Sequence, residues 1–557
     1  LSIVSPVSTH PNPIHLAVLS NSGVLHPCIA VAGDIITSGH AAPAPSAQAI
    51  AIRLSALPLC QTHPAASREL QQALFFSHCA IGHLYSHTSW YISRKRHVKP
   101  EASYPSPASH ISPFTMAAPN TFGDLGLSVI GVGSQYPPYS LKTDSIDYLS
   151  NKFYPDSPSM KKVLAINRFT GIDYRSSIGT HEHPVVNNKD APSIAELHKV
   201  FMSDGVPLAV EASRKAIEEA RIDLGEITHV VSTTCTDSAN PGFDHYVVKG
   251  LGITHQVEKV LLHGVGCSGG LATLRTAANL ALGHKARNKP ARILCVALEV
   301  STTMVRSELN SIDELQETRI GVALFSDCAS AVVLSNGVGE PTESVYDLLG
   351  WEHKIIPDTD HDLGFDVDPV GWKVILSPQV PKLASAAIPS TFKEMLASVP
   401  SLPPSYQNAE DFDWAMHPGG ATILSGAEKT MGISSYHMRA SYDTYINHGN
   451  SSSATIFSVL DRLRSKDMDA VAPDGRVRDY VVGCAFGPGI SVEMCMLKRN
   501  MGGRGVTGLQ TPPETESEGS TSEAGDDGGA QPGGRASSGR QTDQTFVAEA
   551  MEDLDLD

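Results

Sequence analysis

One isolated cysteine, Cys267, lies at the predicted junction between a strand and a helix. Cys267 lies between an apolar run, residues 257–265, and a helical pattern that opens with Gly269 and Gly270. The positive end of a helix dipole favours thiolate over thiol. Glycines on both sides would let a substrate approach the sulfur closely. The pattern predicts that Cys267 is a catalytic nucleophile, although a lone cysteine also fits a buried core position.

Two polar residues further along the chain could complete such a site. His417 follows a predicted strand, residues 412–416, and precedes Pro-Gly-Gly, while Asn450 follows Gly449 just before a predicted helix. An imidazole can exchange protons, and an amide N–H can donate to a developing oxyanion. Taken singly, His417 also fits a loop histidine and Asn450 a helix cap.

The elements that must position these residues alternate between strand and helix. Strands are predicted at 127–133, 227–234, 257–265, 291–300, 412–416 and, as a pair, 480–498, and helices at 159–168, 193–220, 269–283 and 451–463. This alternation predicts an α/β layered fold. A Pro/Gly-containing crossover at 337–341 divides it into halves, residues 116–340 and 341–500.

Composition excludes several classes of protein. The 557 residues carry a net charge of −17 without a basic stripe, which argues against nucleic acid as the main partner. The nine cysteines include no C-x-x-C pair, so the sequence predicts neither a zinc site nor a disulfide framework. No apolar run is long enough to cross a bilayer. We therefore expect a soluble, cytoplasmic protein.

The two ends differ from the middle. Residues 1–115 are rich in Ser, Pro, Ala and His, and the first methionine is Met116. We expect the functional protein to start near Met116, after a disordered leader or gene-model extension; a basic transit peptide is the alternative. Residues 501–557 are acidic and rich in Gly and Ser, which predicts a disordered tail, with an interaction tail as the alternative.

Five sequence blocks together resemble the type III polyketide synthases, the chalcone-synthase-like family. They are GVGCSGG around Cys267, ALFSDCASAVVL around Phe325, WAMHPGG around His417, GNSSSA around Asn450 and GCAFGPGISVE around Gly487. Their order and spacing extend the resemblance from about residue 127 to 498. Within the family, the chain looks most like the fungal members that form alkylresorcinols and alkylpyrones.

The resemblance implies a fold and a reaction. The fold is thiolase-like, with five αβαβα layers built from two similar halves, and family members are homodimers. Cys267 would take an acyl group, here a long chain, from a starter acyl-CoA. His417 and Asn450 would hold malonyl-CoA while CO₂ leaves, and the enolate would extend the chain in repeated rounds. Cyclisation would give alkylpyrones, alkylresorcinols or resorcylic acids, with no metal or redox cofactor.

The resemblance also assigns binding residues. Phe325 matches a phenylalanine between the CoA tunnel and the cavity, whereas Val374 falls near a second such position that is not kept. The residues expected to line the cavity are Phe365, Thr234, Cys235, Met304, Ser452 and Gly487. Those expected to bind CoA phosphates are Lys161, Lys162 and Arg168, although a solvated helix face explains the same charges.

Two other readings remain open at this point. A β-ketoacyl carrier-protein synthase of the initiating type shares the Cys–His–Asn set and the fold, but the Ala-Phe-Gly-Pro-Gly block at 485–489 favours the polyketide family. A non-catalytic scaffold that binds through its acidic tail would not need Cys267.

Overall fold

The computed structural model describes residues 121–368 and 371–500 and, in a separate unit of residues 1–110, two short strands. Those strands, His15–Leu19 (β1) and Leu25–Ile29 (β2), pair in antiparallel fashion. Apart from them, the predicted leader lies outside the described residues, and so does the predicted acidic tail.

A nine-stranded sheet forms the centre of the second unit. The strands of this unit are Leu127–Gln135 (β3), Tyr139–Lys142 (β4), Tyr174–Ser177 (β5), His229–Thr233 (β6), Glu258–Leu262 (β7), Arg292–Val300 (β8), Asp327–Ser335 (β9), Tyr346–Ile355 (β10), Leu363–Asp368 (β11), Gly371–Leu376 (β12), Asp413–Met416 (β13), Tyr480–Gly487 (β14) and Ser491–Arg499 (β15). The order in the sheet is β13-β14-β15-β10-β3-β9-β8-β6-β7, while β4–β5 and β11–β12 form separate two-stranded sheets.

Helices connect these strands. The α-helices are Ser145–Phe153 (α1), Pro158–Asn167 (α2), Ile194–Val200 (α3), Val206–Ala220 (α4), Phe243–Leu251 (α5), Gly269–Lys285 (α6), Val305–Leu315 (α7), Gly321–Leu324 (α8), Val380–Ser398 (α9), Ala421–Met431 (α10), Arg439–His448 (α11), Thr455–Leu463 (α12) and Lys466–Ala470 (α13). Two 3₁₀ turns, Gly266–Ser268 and Ser452–Ala454, lead directly into α6 and α12. Among the described residues, no helix is both long and apolar enough to span a bilayer.

The two halves of the sheet repeat one topology. In the first half β3 is antiparallel to β9, β9 is antiparallel to β8, and β8 is parallel to β6. In the second half β10, β15, β14 and β13 pair in the same order and directions, and only β7 has no counterpart. Three residue pairs between β3 and β10 join the halves into one continuous ladder.

Alternate residues of the central strands face different helix layers. On β14, Val481 and Ala485 pack into the core around α6 and α12, whereas Val482 and Cys484 pack towards α9 and α10. The outer face of the first half packs against α4 and α5. The layers therefore run helix, sheet, helix, sheet, helix, which is the predicted five-layer αβαβα fold of two similar halves.

One predicted helix is interrupted. The helical pattern at 193–220 forms α3, a π-helical turn at Phe201–Gly205, and α4. Pro207 occupies the first turn of α4 and has no N–H to continue the hydrogen-bond ladder. The extra residue of a π turn accommodates this break.

Candidate active site

The predicted nucleophile lies on a tight turn between β7 and α6. Gly264 and Gly266 have φ angles of +76° and +46°, a region that residues with a Cβ rarely adopt. A Cβ on Gly266 would also lie 2.5 Å from the Cδ atom of Pro488. Cys267 follows within the 3₁₀ turn, so its sulfur precedes the N-terminus of α6. The block around Gly487 thus packs directly under the nucleophile turn.

The Cys267 thiol is paired with a hydroxyl of the other half. Its Sγ lies 3.3 Å from the Oγ of Ser452, in the 3₁₀ turn before α12. Burial raises the pKa of Cys267 to about 12, against the smaller effect of the Ser452 hydrogen bond. The resting site therefore holds a thiol rather than the expected thiolate, because desolvation outweighs the helix dipole.

His417 directly follows β13, and its side chain is buried. Its backbone N–H donates to the carbonyl of Cys484 at 2.8 Å, and only 2% of the residue is exposed. Neither ring nitrogen has a hydrogen-bond partner among the described residues. Burial lowers the pKa of His417 to about 3, so the imidazole is neutral. A buried ring without a partner indicates a site completed by a bound molecule.

Asn450 links the nucleophile turn to the histidine turn. Its Oδ1 accepts the backbone N–H of Ser452 at 2.8 Å, and its Nδ2 donates to the carbonyl of Gly419 at 3.2 Å. A Cβ on Gly419 would lie 3.6 Å from Nε2 of His417, so the turn that contains Gly419 lies directly beside the imidazole ring. Because Nδ2 has two N–H groups, the second can donate to a substrate oxygen. The side chain of Asn450 therefore stabilises the turn at Ser452 and still retains a donor.

A buried carboxyl group that the sequence analysis missed supports the site. Glu299, at 0% exposure on β8, accepts hydrogen bonds from the backbone N–H of Cys235 at 3.1 Å and from the Thr236 hydroxyl at 3.0 Å. The hydroxyls of Thr234 and Ser453 also donate to it. Burial raises the pKa of Glu299. Its signal in the sequence is a single acid after a run of apolar residues in β8.

Two predicted lining residues, Cys235 and Ser452, contact each other beside the nucleophile. The Sγ of Cys235 lies 3.3 Å from the Ser452 hydroxyl, which also contacts Cys267. Thr234 is buried beside Cys235 and holds Glu299 at 3.3 Å. These residues therefore surround the nucleophile rather than the larger cavity nearby.

A cavity with an empty volume of about 780 Å³, its mouth included, lies beside the site. Much of its wall is apolar and comes from Leu141, Ile146, Leu149, Ile178, Val186 and Val322. Met304, Phe325 and Val374 also line it, whereas Cys267, His417 and Asn450 do not.

Phe325 stands between the cavity and the reactive residues. Its backbone forms a bridge with Asn450, and its ring centroid lies 6.2 Å from that of Phe365. Phe365 in turn pairs across the β11–β12 hairpin with Val374 and packs beside Met304. Phe365 and Val374 are thus direct cross-strand neighbours.

The predicted CoA-binding residues lie on and beside α2. Lys161 and Lys162 are exposed, and Arg168 forms an ion pair with Asp147 at 2.9 Å. The buried face of α2, through Val163, packs with residues of the cavity wall. None of the three basic residues belongs to the group of contacting side chains formed by Cys267, Ser452 and Cys235.

Comparisons with known proteins place the chain in a family. The model of the chalcone and stilbene synthases, N-terminal domain, matches residues 162–338, and that of the C-terminal domain matches residues 348–501. A type III polyketide synthase, pspB, of Penicillium soppii is 40% identical over 67% of this chain and 96% of its own length. The chain belongs to the type III polyketide synthases.

Solved structures agree. A type III pentaketide synthase from Neurospora crassa is 72% identical, with a TM-score of 0.67 over 68% of this chain and 100% of its own. CsyB complexed with CoA-SH is 36% identical, with a TM-score of 0.64 over 67% of this chain and 100% of its own. A relative of that name, acylalkylpyrone synthase csyB, is known from Aspergillus oryzae.

Membership in the type III polyketide synthases makes the chain an acyltransferase that condenses CoA thioesters. It favours this reading over the carrier-protein synthase and over the non-catalytic scaffold. The family resemblance and the fold predicted from the five sequence blocks are confirmed.

Proposed function

We propose that this polyketide synthase loads a long-chain acyl group from acyl-CoA onto Cys267 and extends it with malonyl units. One observation carries the assignment: a continuous series of contacts runs from Cys267 through Ser452 and Asn450 to Gly419, beside the unpartnered ring of His417. These contacts join the two halves of the fold. They link the nucleophile Cys267 to the amide donor Asn450 and to the turn beside the base His417.

The loading step follows from the protonation states. Neutral His417 accepts the thiol proton of Cys267 as the sulfur attacks the carbonyl carbon of the starter thioester. The tetrahedral intermediate collapses, the bond to the CoA sulfur breaks, and the proton on His417 passes to the leaving CoA thiolate. The products are an acyl-Cys267 thioester and free CoA, and the imidazole is neutral again.

In the extension step the same groups hold malonyl-CoA. Neutral His417, through the one N–H of its imidazole, and the second N–H of Asn450 donate to the malonyl thioester oxygen. As CO₂ leaves, its bonding electrons form an enolate, whose carbon attacks the acyl-Cys267 carbonyl. A carbon–carbon bond forms and the Cys267 sulfur leaves as thiolate, ready to accept the extended chain from CoA.

Three features support a long starter and a ring-closed product. The cavity has an extensive apolar wall and meets the site at Phe325. One relative is named an acylalkylpyrone synthase and another a pentaketide synthase. Apolar area stabilises a bound acyl chain by about 0.8 kcal/mol per buried CH₂. We infer alkylpyrones, alkylresorcinols or resorcylic acids as products.

The decisive experiment is mass spectrometry of the products formed from malonyl-CoA and a panel of acyl-CoA starters, without carrier protein. We expect cyclised polyketides, with the highest kcat/KM for long starters. A strict need for carrier protein, or turnover of short starters alone, would contradict the proposal.

Replacing the nucleophile tests the covalent step. Cys267→Ala should lower the condensation rate by at least about 10³-fold and abolish the acyl-enzyme adduct seen in the intact mass. Cys328→Ala, which removes a buried thiol bonded to Ser458 instead, is the matched control and should keep both. Equal losses in the two variants would reject Cys267 as the acyl carrier.

Filling the cavity tests the starter length. Val185 lines the cavity from a loop and is only partly buried, so Val185→Trp should fold. We expect kcat/KM to fall about tenfold or more for long starters and to change little for short ones. A uniform loss of kcat/KM across all chain lengths would indicate a general defect rather than a shortened pocket. It would count against this cavity as the site of the acyl chain.

Four further assignments belong to the proposal. Lys161 and Lys162 bind CoA phosphates, so their joint replacement by Ala should raise KM for acyl-CoA without lowering kcat. The protein is a cytoplasmic homodimer that needs no catalytic cofactor. Sedimentation equilibrium would reveal a monomer, and a fluorescent fusion would reveal another compartment.

A further inference from the structure

We propose that His229, His284 and Glu258 form a structural site for a divalent transition metal of the Zn²⁺ class. The three residues come from β6, from the last turn of α6 and from β7. Their candidate ligand atoms all lie within 4.8 Å of one another, and this is the one such group among the described residues. Nothing in the sequence pattern predicts it, since the spacings are irregular.

The backbone brings two of the ligands together. His229 and Glu258 are paired residues at the start of the parallel strands β6 and β7, so their side chains share one face of the sheet. The Nε2 of His229 lies 3.7 Å from a Glu258 carboxylate oxygen. In a tetrahedral zinc site neighbouring ligand atoms are about 3.3 Å apart, so small side-chain rotations would complete the geometry.

One ring nitrogen of each histidine is buried without a hydrogen-bond partner among the described residues. The Nε2 of His229 and the Nδ1 of His284 are both buried, and neither has a hydrogen-bond partner within the described part of the chain. The residue His229 is only 2% exposed, and the two rings pack edge to face with centroids 4.7 Å apart. A lone pair buried in this way lacks the partner that native structures nearly always supply, and a metal ion would supply it.

A second contact orients the His229 ring for metal binding. Its Nδ1 lies 2.8 Å from the hydroxyl of Thr228. That hydroxyl also lies 3.1 Å from both the carbonyl and the backbone N–H of Arg292. With the proton on Nδ1, the ring donates to Thr228 and turns the Nε2 lone pair towards His284 and Glu258. The opposite tautomer would bury an unpaired N–H. An outer hydrogen bond of this kind is the usual support of a metal-binding histidine.

The location indicates a stabilising role. Helix α6 starts beside Cys267 and has 17 residues, so the site lies about 25 Å along the helix from the nucleophile. Two protein histidines and one carboxylate would leave one position for water. The ion would fasten the edge strand β7 and the end of α6 to β6. This inference does not depend on the proposed function.

The test is thermal unfolding of the full chain after chelation, with Zn²⁺ then added back. We expect a saturable rise in Tm of several degrees that Glu258→Ala and His284→Gln abolish, with metal affinity at least about 100-fold lower. Thr228→Val should weaken binding by about 10–100-fold. Co²⁺, added as a spectroscopic probe, should show a tetrahedral visible spectrum in the parent chain alone.

Matched controls distinguish this site from other histidines. Glu258 is largely exposed, so Glu258→Ala should fold, and His361→Gln removes an exposed histidine while leaving the site intact. The ten histidines before Met116 contribute equally to every variant. A Tm that ignores Zn²⁺, an unchanged response in Glu258→Ala, or an equal loss in His361→Gln would each overturn the proposal.

Discussion

At the scale of single residues, burial decides the charge of the reactive groups. The sequence identifies Cys267 and His417 by their turns, and the helix dipole next to Cys267 argues for a thiolate. In the folded protein, desolvation raises the pKa of Cys267 to about 12 and lowers that of His417 to about 3. Both groups are therefore neutral in the substrate-free protein.

The buried histidine should make stability depend on pH. Unfolded, His417 has a pKa near 6.5, so below that pH the unfolded state binds a proton that the folded state excludes. Its contribution is fully present above pH 6.5 and is lost as the pH falls towards 3. Scanning calorimetry between pH 7 and 4 should show a steeper fall in Tm for the parent than for His417→Gln.

A surface histidine provides the comparison. His361 is 95% exposed, so His361→Gln should retain the slope of the parent. His448, whose pKa burial lowers to about 4, adds a change of the same sign that is common to all three proteins. Identical slopes for the parent and His417→Gln would show that the ring is not desolvated.

At the scale of elements, close packing around one turn positions the nucleophile. The turn before α6 needs two glycines in the left-handed region, and Gly266 also lies against Pro488 in the turn between β14 and β15. These turns come from different halves, more than 200 residues apart. The position of the sulfur therefore depends on contact between two loops rather than on α6 alone.

Alanine at the two glycines separates strain from collision. Gly266→Ala meets both an unfavourable φ and the Pro488 ring, whereas a Cβ on Gly264 would have no atom within 4 Å. We expect Gly264→Ala to cost about 1–2 kcal/mol of unfolding free energy and Gly266→Ala at least twice that, with a larger loss of kcat. Urea unfolding and single-turnover acylation measure the two effects. Equal costs at both positions would mean that the loops do not touch.

The elements were predicted better than their interruptions. Hydrophobic runs and turn residues located the strands leading to Cys267 and His417, because those signals are local. The π turn at Phe201–Gly205 and the support from Glu299 were missed. The role of Glu299 depends on its hydrogen bonds with Cys235 and Ser453, which are remote in sequence. Such pairings form only when the two halves pack together. The three residues proposed as a metal site were missed for the same reason.

At the scale of the whole molecule, buried charges tie the second half together. Asp413, at the start of β13, pairs with Arg439 at 2.8 Å and with Arg499 at 3.3 Å, and all three residues are buried. These contacts join β13 to α11 and to the last strand of the sheet. Because β13 ends one residue before His417, the same pairs also help to fix the position of the histidine.

Neutralising the shared carboxylate of Asp413 should lower the free energy of unfolding substantially. Asp413→Asn leaves two buried guanidinium groups with a neutral partner, and we expect a loss of about 3–5 kcal/mol in unfolding free energy. Asp467→Asn breaks a solvent-exposed pair with Arg462 and should cost less than about 1 kcal/mol. Denaturant titration compares them. Similar small losses would show that the Asp413 cluster contributes little to stability.

The repeated topology places the reactive groups at corresponding positions of the two halves. Cys267 and Ser452 precede corresponding helices, α6 and α12, and Cys235 and His417 follow corresponding strands, β6 and β13. The first half thus holds the sulfur, while the second half holds the imidazole and the carboxamide. Neither half alone contains all three groups, so the site exists only where the two halves pack together.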